Sequence, residues 1–353
     1  MVFDELGGWR GILGTLVDGR DLTRSEASAA MGQILSGEAT PVQIAGFIVA
    51  LRMKGETVDE MVGMVEAMLA AAAPVELGEL AASAIDIVGT GGAPTRRVHA
   101  LNVSTMASLV AAGAGARVCK HGNRRASSTS GSFDLLDALG VPIDLDGPTV
   151  ARCVREAGVG FCFARAFHPA MRHAGPVRAE LGVPTVFNVL GPLSNPARVV
   201  RQVIGVSDPR VAATVLGVLE ARQAPRALVV HGSDGMDELT TTGPSTVFEL
   251  HQGRVRTFEL DPRDLGLEVV DAEQVKGGTP EENAAIAQRV LAGEQGPYRD
   301  IVTLNAAAGL WVAGEVDDLA AGLDRARGAI DAGQVRQVLA RLIDVASSGA
   351  ADR

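Results

Sequence analysis

Two glycine-rich turns mark where this chain can hold an anion. The first, Gly89-Thr90-Gly91-Gly92, ends a short apolar run, Ile85-Asp86-Ile87-Val88. The second, His121-Gly122-Asn123-Arg124, ends Arg117-Val118-Cys119-Lys120. Hydroxyl and amide side chains follow each turn into a helical run: Asn102-Val103-Ser104-Thr105 after the first, and Ser127 to Ser132 with five hydroxyls after the second. Glycine turns expose backbone N–H groups without Cβ obstruction, and a helix start adds positive partial charge. With Lys120 and Arg124 beside them, the two turns make a phosphate cradle.

Asp237 and Glu238 lie in a glycine-rich loop after an apolar strand pattern, Arg226 to His231. Adjacent carboxylates at the carboxyl end of a strand suit Mg²⁺ on a phosphate, because this ion needs only one or two carboxylates besides water and substrate oxygens. A solvated acidic loop is the plain alternative; the cradle tips the balance toward the metal, and the Ser104 hydroxyl offers a third oxygen. Arg178 stands between Pro176 and Leu181, where a guanidinium can fork onto a carboxylate or can simply be a surface arginine. His121 and His168 fall in glycine- and proline-marked loops, whereas His251 sits in a hairpin turn. No Ser-His-Asp or Cys-His pattern stands out.

The elements that must position these groups are legible from spacing. Thr23-Arg24-Ser25-Glu26, Thr40-Pro41-Val42-Gln43 and Thr57-Val58-Asp59-Glu60 are three capping boxes in succession, each leading into apolar residues at helical spacing. Residues 1–76 therefore read as a small N-terminal helical domain. From Ile85 strands alternate with helices, which implies a mostly parallel sheet. The expected fold is α/β: the helical domain plus a larger α/β domain built from 77–169 and 199–345, with a cleft between them. Residues 170–198, rich in Pro, Gly and cations, cross back to the helical domain and border that cleft. The tail, 346–353, is expected to be disordered.

Of the 353 residues 47% are hydrophobic but only 3% aromatic, so the core must be Ala, Val and Leu. The net charge of −10 argues against nucleic-acid binding and makes the cradle a local basic island suited to a small anionic ligand. Cys119, Cys153 and Cys162 lack metal spacing and sit in apolar runs, as reduced core residues do. No signal peptide and no long apolar span is read, so a cytoplasmic protein is expected.

At these residues the chain resembles the anthranilate phosphoribosyltransferase family over nearly its whole length. Besides the two turns, the resemblance runs through Arg20-Asp21-Leu22-Thr23, His168-Pro169-Ala170-Met171-Arg172, Phe187 to Pro192, Gly235-Met236-Asp237-Glu238 and Gly278 to Asn283. It implies a homodimer formed through the helical domain. It also implies transfer of phosphoribose from phosphoribosyl pyrophosphate to the amino group of anthranilate, with Mg²⁺, in tryptophan biosynthesis. Carried over by motif, Gly89, Gly92, Asn102, Ser104, Thr105, Lys120 and Ser132 would hold phosphoribosyl pyrophosphate. Ser104, Asp237 and Glu238 would hold Mg²⁺. Gly89, Asn123 and Arg178 would bind anthranilate, with His121 and Pro192 along its route. Lys120, Asp237 and Glu238 would carry the catalytic electrostatics.

One stretch departs from the family pattern. Ala93 stands where the family has Asp, and Asn102 follows Gly89 by thirteen residues, a longer spacing filled with Arg96 and Arg97. Arg125 stands where a small residue is common. These changes motivate an alternative, a related phosphoribosyltransferase acting on another aromatic acceptor. Two further alternatives are disfavoured. A pyrimidine nucleoside phosphorylase would carry a serine-rich loop after the lysine in place of His121-Gly122-Asn123, and a nucleic-acid-binding relative conflicts with the charge and the intact Asp237-Glu238 pair.

Overall fold

The computed structural model of the chain describes residues 3–91, 101–124 and 129–351. Four helices open it: α1 (Gly8–Val17), α2 (Arg24–Ser36), α3 (Pro41–Lys54) and α4 (Val58–Ala70). All three expected capping boxes form at α2, α3 and α4, with Pro41 at the first turn of α3. Glu60 does more than cap. Its carboxylate accepts from the backbone of Thr57 (2.8 Å) and Leu22 (2.9 Å) and from Lys54 Nζ (3.0 Å), so one buried acid ties three segments together.

The α/β part follows as β1 (Ile85–Gly89), α5 (Val103–Gly113), β2 (Val118–Gly122), α6 (Ser132–Ala138), α7 (Gly147–Ala157) and β3 (Val159–Phe163). After α8 (Ala164–Phe167) the crossing segment folds as α9 (Gly175–Leu181) and α10 (Val186–Leu193); as its richness in Pro and Gly suggests, it contributes no strand. The chain continues through β4 (Arg201–Gly205), α11 (Ala212–Ala221), β5 (Arg226–Gly232), β6 (Ser245–His251) and β7 (Arg254–Leu260), then α12 (Pro280–Leu291), α13 (Pro297–Ala313), α14 (Leu319–Asp331) and α15 (Gln334–Ala351).

The strands form one sheet in the order β3-β2-β1-β4-β5-β6-β7. The first five are parallel; β6 and β7 are a hairpin added antiparallel to β5. Strands β1 to β3 are buried along nearly their whole length, as strands covered on both faces must be. One apolar cluster packs α5, α7 and α13 to α15 on the sheet. The other joins α1 to α4 with α9, α10 and α11 and residues such as Val88 and Ile204. All three cysteines are buried and free.

The tail corrects an expectation. Residues from Ala346 do not trail off: α15 runs to Ala351, and Ala346 is fully buried. Arg152 on α7 holds this helix by donating to the Val345 carbonyl and to Ser348 Oγ, both at 2.8 Å. A terminal position alone suggested disorder; docking supplies burial that the position did not announce.

Candidate active site

The chain lays β2 and β3 on one side of β1, then returns to lay β4 on the other. Ligands of open α/β sheets bind beyond the strand ends at such a reversal. Here β1 and β4 end in register on two glycines, Gly89 opposite Gly205. Asp237 lies across this pair. A Cβ on Gly89 would stand 2.2 Å from Asp237 Oδ2, and one on Gly205 would stand 1.6 Å from the Asp237 carbonyl oxygen. Both glycines are therefore required by close approach, and the first also lines the open cleft.

Asp237 and Glu238 are almost fully buried in the loop after β5. Asp237 Oδ2 accepts from the Gly91 N–H at 2.9 Å. Glu238 Oε1 accepts from the Ser104 N–H at 3.3 Å, in the first turn of α5. The two carboxylates thus face the first glycine turn and the start of a helix. They are hard oxygen donors desolvated together, a set that fits Mg²⁺. Among the described residues no group of three His, Cys, Asp or Glu is assembled, so the remaining oxygens must come from substrate, water or Ser104.

Around this pair the hydroxyl and amide side chains are ordered by one another. Asn102 precedes α5 but does not cap it with its side chain. Its Oδ1 accepts instead from Ser130 Oγ and from Asn283 Nδ2, each at 2.9 Å. Asn283 was legible only as part of the Gly278–Asn283 block and had no assigned role; it fastens Asn102 from 181 residues away. Among the described residues Thr105 Oγ1 is buried without a hydrogen-bond partner. Ser132 Oγ donates to the Asn123 carbonyl at 3.0 Å, folding the second turn over Gly122, where a Cβ would stand 2.3 Å from that hydroxyl.

The two cations of the expected cradle part company. Lys120 is buried, with Nζ donating to the Ile87 carbonyl at 2.5 Å, directly beneath the first turn. Its charge lies near Asp86, whose carboxyl burial pushes up to about 6 despite Lys120. Arg124 turns away and pairs with Asp134 (2.9 Å) and Asp137 (2.8 Å). It braces α6 instead of facing a phosphate, because two carboxylates one helical turn apart outcompete an open turn. Gly92, Ala93, Arg96, Arg97 and Arg125 lie outside the described residues.

A cleft of about 710 Å³ opens on the other side of Gly89. All five residues assigned to the acceptor line it: Gly89, His121, Asn123, Arg178 and Pro192. They come from β1, β2, the turn after β2, α9 and α10. The Arg178 guanidinium sits 5.1 Å from the centre of the Phe187 ring, which fixes its plane. It meets no carboxylate among the described residues, and burial lowers its pKa from the usual arginine value. An arginine remains charged under those conditions, so the cleft presents an uncompensated cation to an anionic ligand. Met68 from the helical domain, together with Arg165 and Arg172, completes the wall. Met68 carried no sequence signal, being one apolar residue of a helix stripe. Arg172 belonged to the His168-Pro169-Ala170-Met171-Arg172 block but had drawn no assignment.

His121 and His168 pack against each other in the lining of this cleft, ring centres 5.1 Å apart. Each is held by a carbonyl near the end of α10: His121 Nδ1 by Gly191 (3.1 Å) and His168 Nε2 by Ser194 (2.9 Å). Burial pushes His121 down to about 3 and lowers His168 as well, so both are neutral rings at pH 7.

Comparison with known proteins agrees with this geometry. The profile of a glycosyl transferase family matches twice, its helical bundle domain at residues 10–72 and its α/β domain at residues 81–336. The anthranilate phosphoribosyltransferase of Arthrobacter sp. (strain FB24) is 53% identical over 342 residues, covering 95% of each chain. The crystal structure of the Thermus thermophilus enzyme of that name superposes with a TM-score of 0.89 at 44% identity, over 95% of this chain and 99% of that one. The Saccharomyces cerevisiae enzyme, solved with phosphoribosyl pyrophosphate and Mg, superposes with a TM-score of 0.86 at 29% identity, over 96% of this chain and 98% of that one.

Proposed function

We infer that this chain, which belongs to the anthranilate phosphoribosyltransferase family, transfers the phosphoribosyl group of phosphoribosyl pyrophosphate to the amino nitrogen of anthranilate, releasing pyrophosphate, in tryptophan biosynthesis. One observation carries the reading. Gly89, lacking a Cβ, separates a cleft lined by the Arg178 cation, which meets no carboxylate among the described residues, from the buried carboxylates Asp237 and Glu238. An aromatic carboxylate can thereby approach a pyrophosphate-bearing ribose from the side opposite its leaving group. The acceptor alternative raised by Ala93, Arg96 and Arg97 is not favoured: relatives of more than 50% identity over nearly all of both chains share one activity.

The reaction needs positioning more than acid–base power. Pyrophosphate leaves C1 as positive charge develops on the ribose, and the amine, largely neutral at pH 7, attacks from the opposite face. Gly89, Asn102, Ser104, Thr105 and Ser132 would hold the donor. Lys120 places a fixed positive charge below the turn. Asp237 and Glu238, with Ser104, would hold Mg²⁺, which when bound neutralises charge on the leaving pyrophosphate. Arg178 and Asn123 would orient anthranilate by its carboxylate.

We assign the dimer expected from the sequence to the helical domain. Val42, Val49 and Met53 form an exposed stripe on α3, two of them more than 80% accessible, and Val17 at the end of α1 extends the apolar surface. A Val42→Asp/Met53→Asp variant should sediment as a monomer. A cytoplasmic location fits two polar anionic substrates that do not cross membranes unaided; no helix among the described residues is long and apolar enough to span one.

Mixing the protein with Mg²⁺, phosphoribosyl pyrophosphate and anthranilate tests the reading. Loss of anthranilate fluorescence matched by pyrophosphate release is expected. Pyrophosphate release with no loss of fluorescence would refute the acceptor.

A further inference from the structure

Phosphoribosyl transfer to an amine leaves one proton to place. The nitrogen that bonds to C1 becomes a substituted ammonium and must shed a hydrogen. Among the cleft-lining side chains, Arg165, Arg172 and Arg178 can only donate. Asp237 and Glu238 stand on the far side of Gly89 and are engaged by backbone N–H groups.

His121 is built differently. A carbonyl oxygen only accepts, so the contact from Gly191 O puts the ring hydrogen on Nδ1. Burial, helped by the neighbouring His168 ring and the Lys120 charge, keeps the ring neutral. A neutral ring with its hydrogen on Nδ1 has a bare lone pair at Nε2. Among the described residues that atom is buried without a partner, although the ring lines the cleft together with Asn123, Arg178 and Pro192. An orphan acceptor in a built pocket points to a donor on the ligand. His168 is fixed by the same helix end, so the pair cannot exchange tautomers without breaking a hydrogen bond to Gly191 or Ser194.

We propose that His121 Nε2 accepts a hydrogen bond from the acceptor's amino group, aims the nitrogen lone pair at C1, and takes the proton released as the N–C1 bond forms. The inference rests on the phosphoribosyl-transfer reading. The nitrogen lone pair makes the new bond. The C1–O bond to pyrophosphate breaks with its electron pair on oxygen. The N–H electron pair returns to nitrogen as the proton passes to Nε2, and the imidazolium releases that proton to water in the cleft. A weak base suits the task. An arylammonium is a strong acid, and a ring basic enough to be charged beforehand would present only donors to the amine.

The experiment compares wild type and His121→Ala in single-turnover transfer, with phosphoribosyl pyrophosphate binding followed by calorimetry in Mg²⁺. Donor affinity is expected to stay within about threefold while the transfer rate falls on the order of 10²-fold. Added imidazole should restore the rate of the variant in proportion to its free base and leave wild type unchanged, which a structural role of the ring would not produce. Nitrogen NMR of the wild-type imidazoles supplies a test that survives misfolding of the variant. It should show the Nδ1–H form, with the Nε2 resonance moving when anthranilate is added. A transfer rate within about threefold of wild type, no imidazole rescue with donor binding intact, or an Nε2–H tautomer would each overturn the proposal. Absence of pyrophosphate release by wild type would instead overturn the phosphoribosyl-transfer reading.

Discussion

Gly205→Ala should disable the site from a strand, β4, none of whose residues lines the cleft. The new Cβ would stand 1.6 Å from the Asp237 carbonyl oxygen and 2.3 Å from its carbonyl carbon. Non-bonded contact requires about 3.5 Å, so the 1.6 Å approach forces the Asp237 backbone back by about 2 Å, and the obstacle is main chain, which has no rotamer to change. Misplacement of reacting groups by about 1 Å costs on the order of 10²-fold, so kcat should fall at least that far. Overpacking itself should cost only about 1–3 kcal/mol of stability, leaving the chain folded. Gly217→Ala is the control. Its Cβ would meet Val58 Cγ2 at 2.5 Å, a milder crowding against a side chain at the junction of α11 and α4, away from the carboxylates. Both variants would be assayed for turnover across a Mg²⁺ series, with urea melts to count folded protein. Gly205→Ala should lose turnover at every Mg²⁺ concentration, whereas Gly217→Ala should lose stability but keep turnover per folded molecule. A Gly205→Ala enzyme with native kcat would refute the claim that the Gly89–Gly205 register places Asp237.

Three further outcomes follow from the same geometry. Arg178→Ala should raise KM for anthranilate by roughly ten- to hundredfold, the worth of a charge-assisted hydrogen bond, with donor binding by calorimetry unchanged; an equal loss for both substrates would contradict its assignment to the acceptor. Glu60→Ala removes the acid that holds Leu22, Thr57 and Lys54, and should cost about 3–5 kcal/mol in a urea melt; a loss below about 1 kcal/mol would show that water replaces it. His121 and His168 have folded pKa values below the unfolded imidazole value, so the unfolded chain binds more protons once pH drops below about 6.5. Their contribution to stability is full above that pH and is lost progressively as pH falls toward about 3, where His121 titrates in the fold. A His121→Asn/His168→Asn variant should show a flatter fall in melting temperature across that window, and an unchanged slope would refute the neutral pair.

The sequence by itself determined what depends on neighbours along the chain. Three Thr-initiated capping boxes and the alternation of strand with helix arise from a few consecutive residues, and both appear as expected, whereas β2 runs on through His121 and Gly122, which the pattern had placed in a turn. The types of the site residues were legible for the same reason, since phosphate, Mg²⁺ and a carboxylate each call for recognisable side chains. Tertiary structure decided which of them face one another. Arg124 looked equivalent to Lys120 from the motif, yet Asp134 and Asp137 on α6 claim it. The tail, as a chain terminus, was expected to be disordered, yet docking on α7 makes it a helix. Asp237 contacts Gly91 across 146 residues because β1 and β4 pair in parallel register and end on glycines. The Nε2 of His121 is a bare acceptor because α10 places the Gly191 carbonyl at Nδ1. Register, burial and the competition for a charge are set by segments far apart in the chain, so no local pattern encodes them.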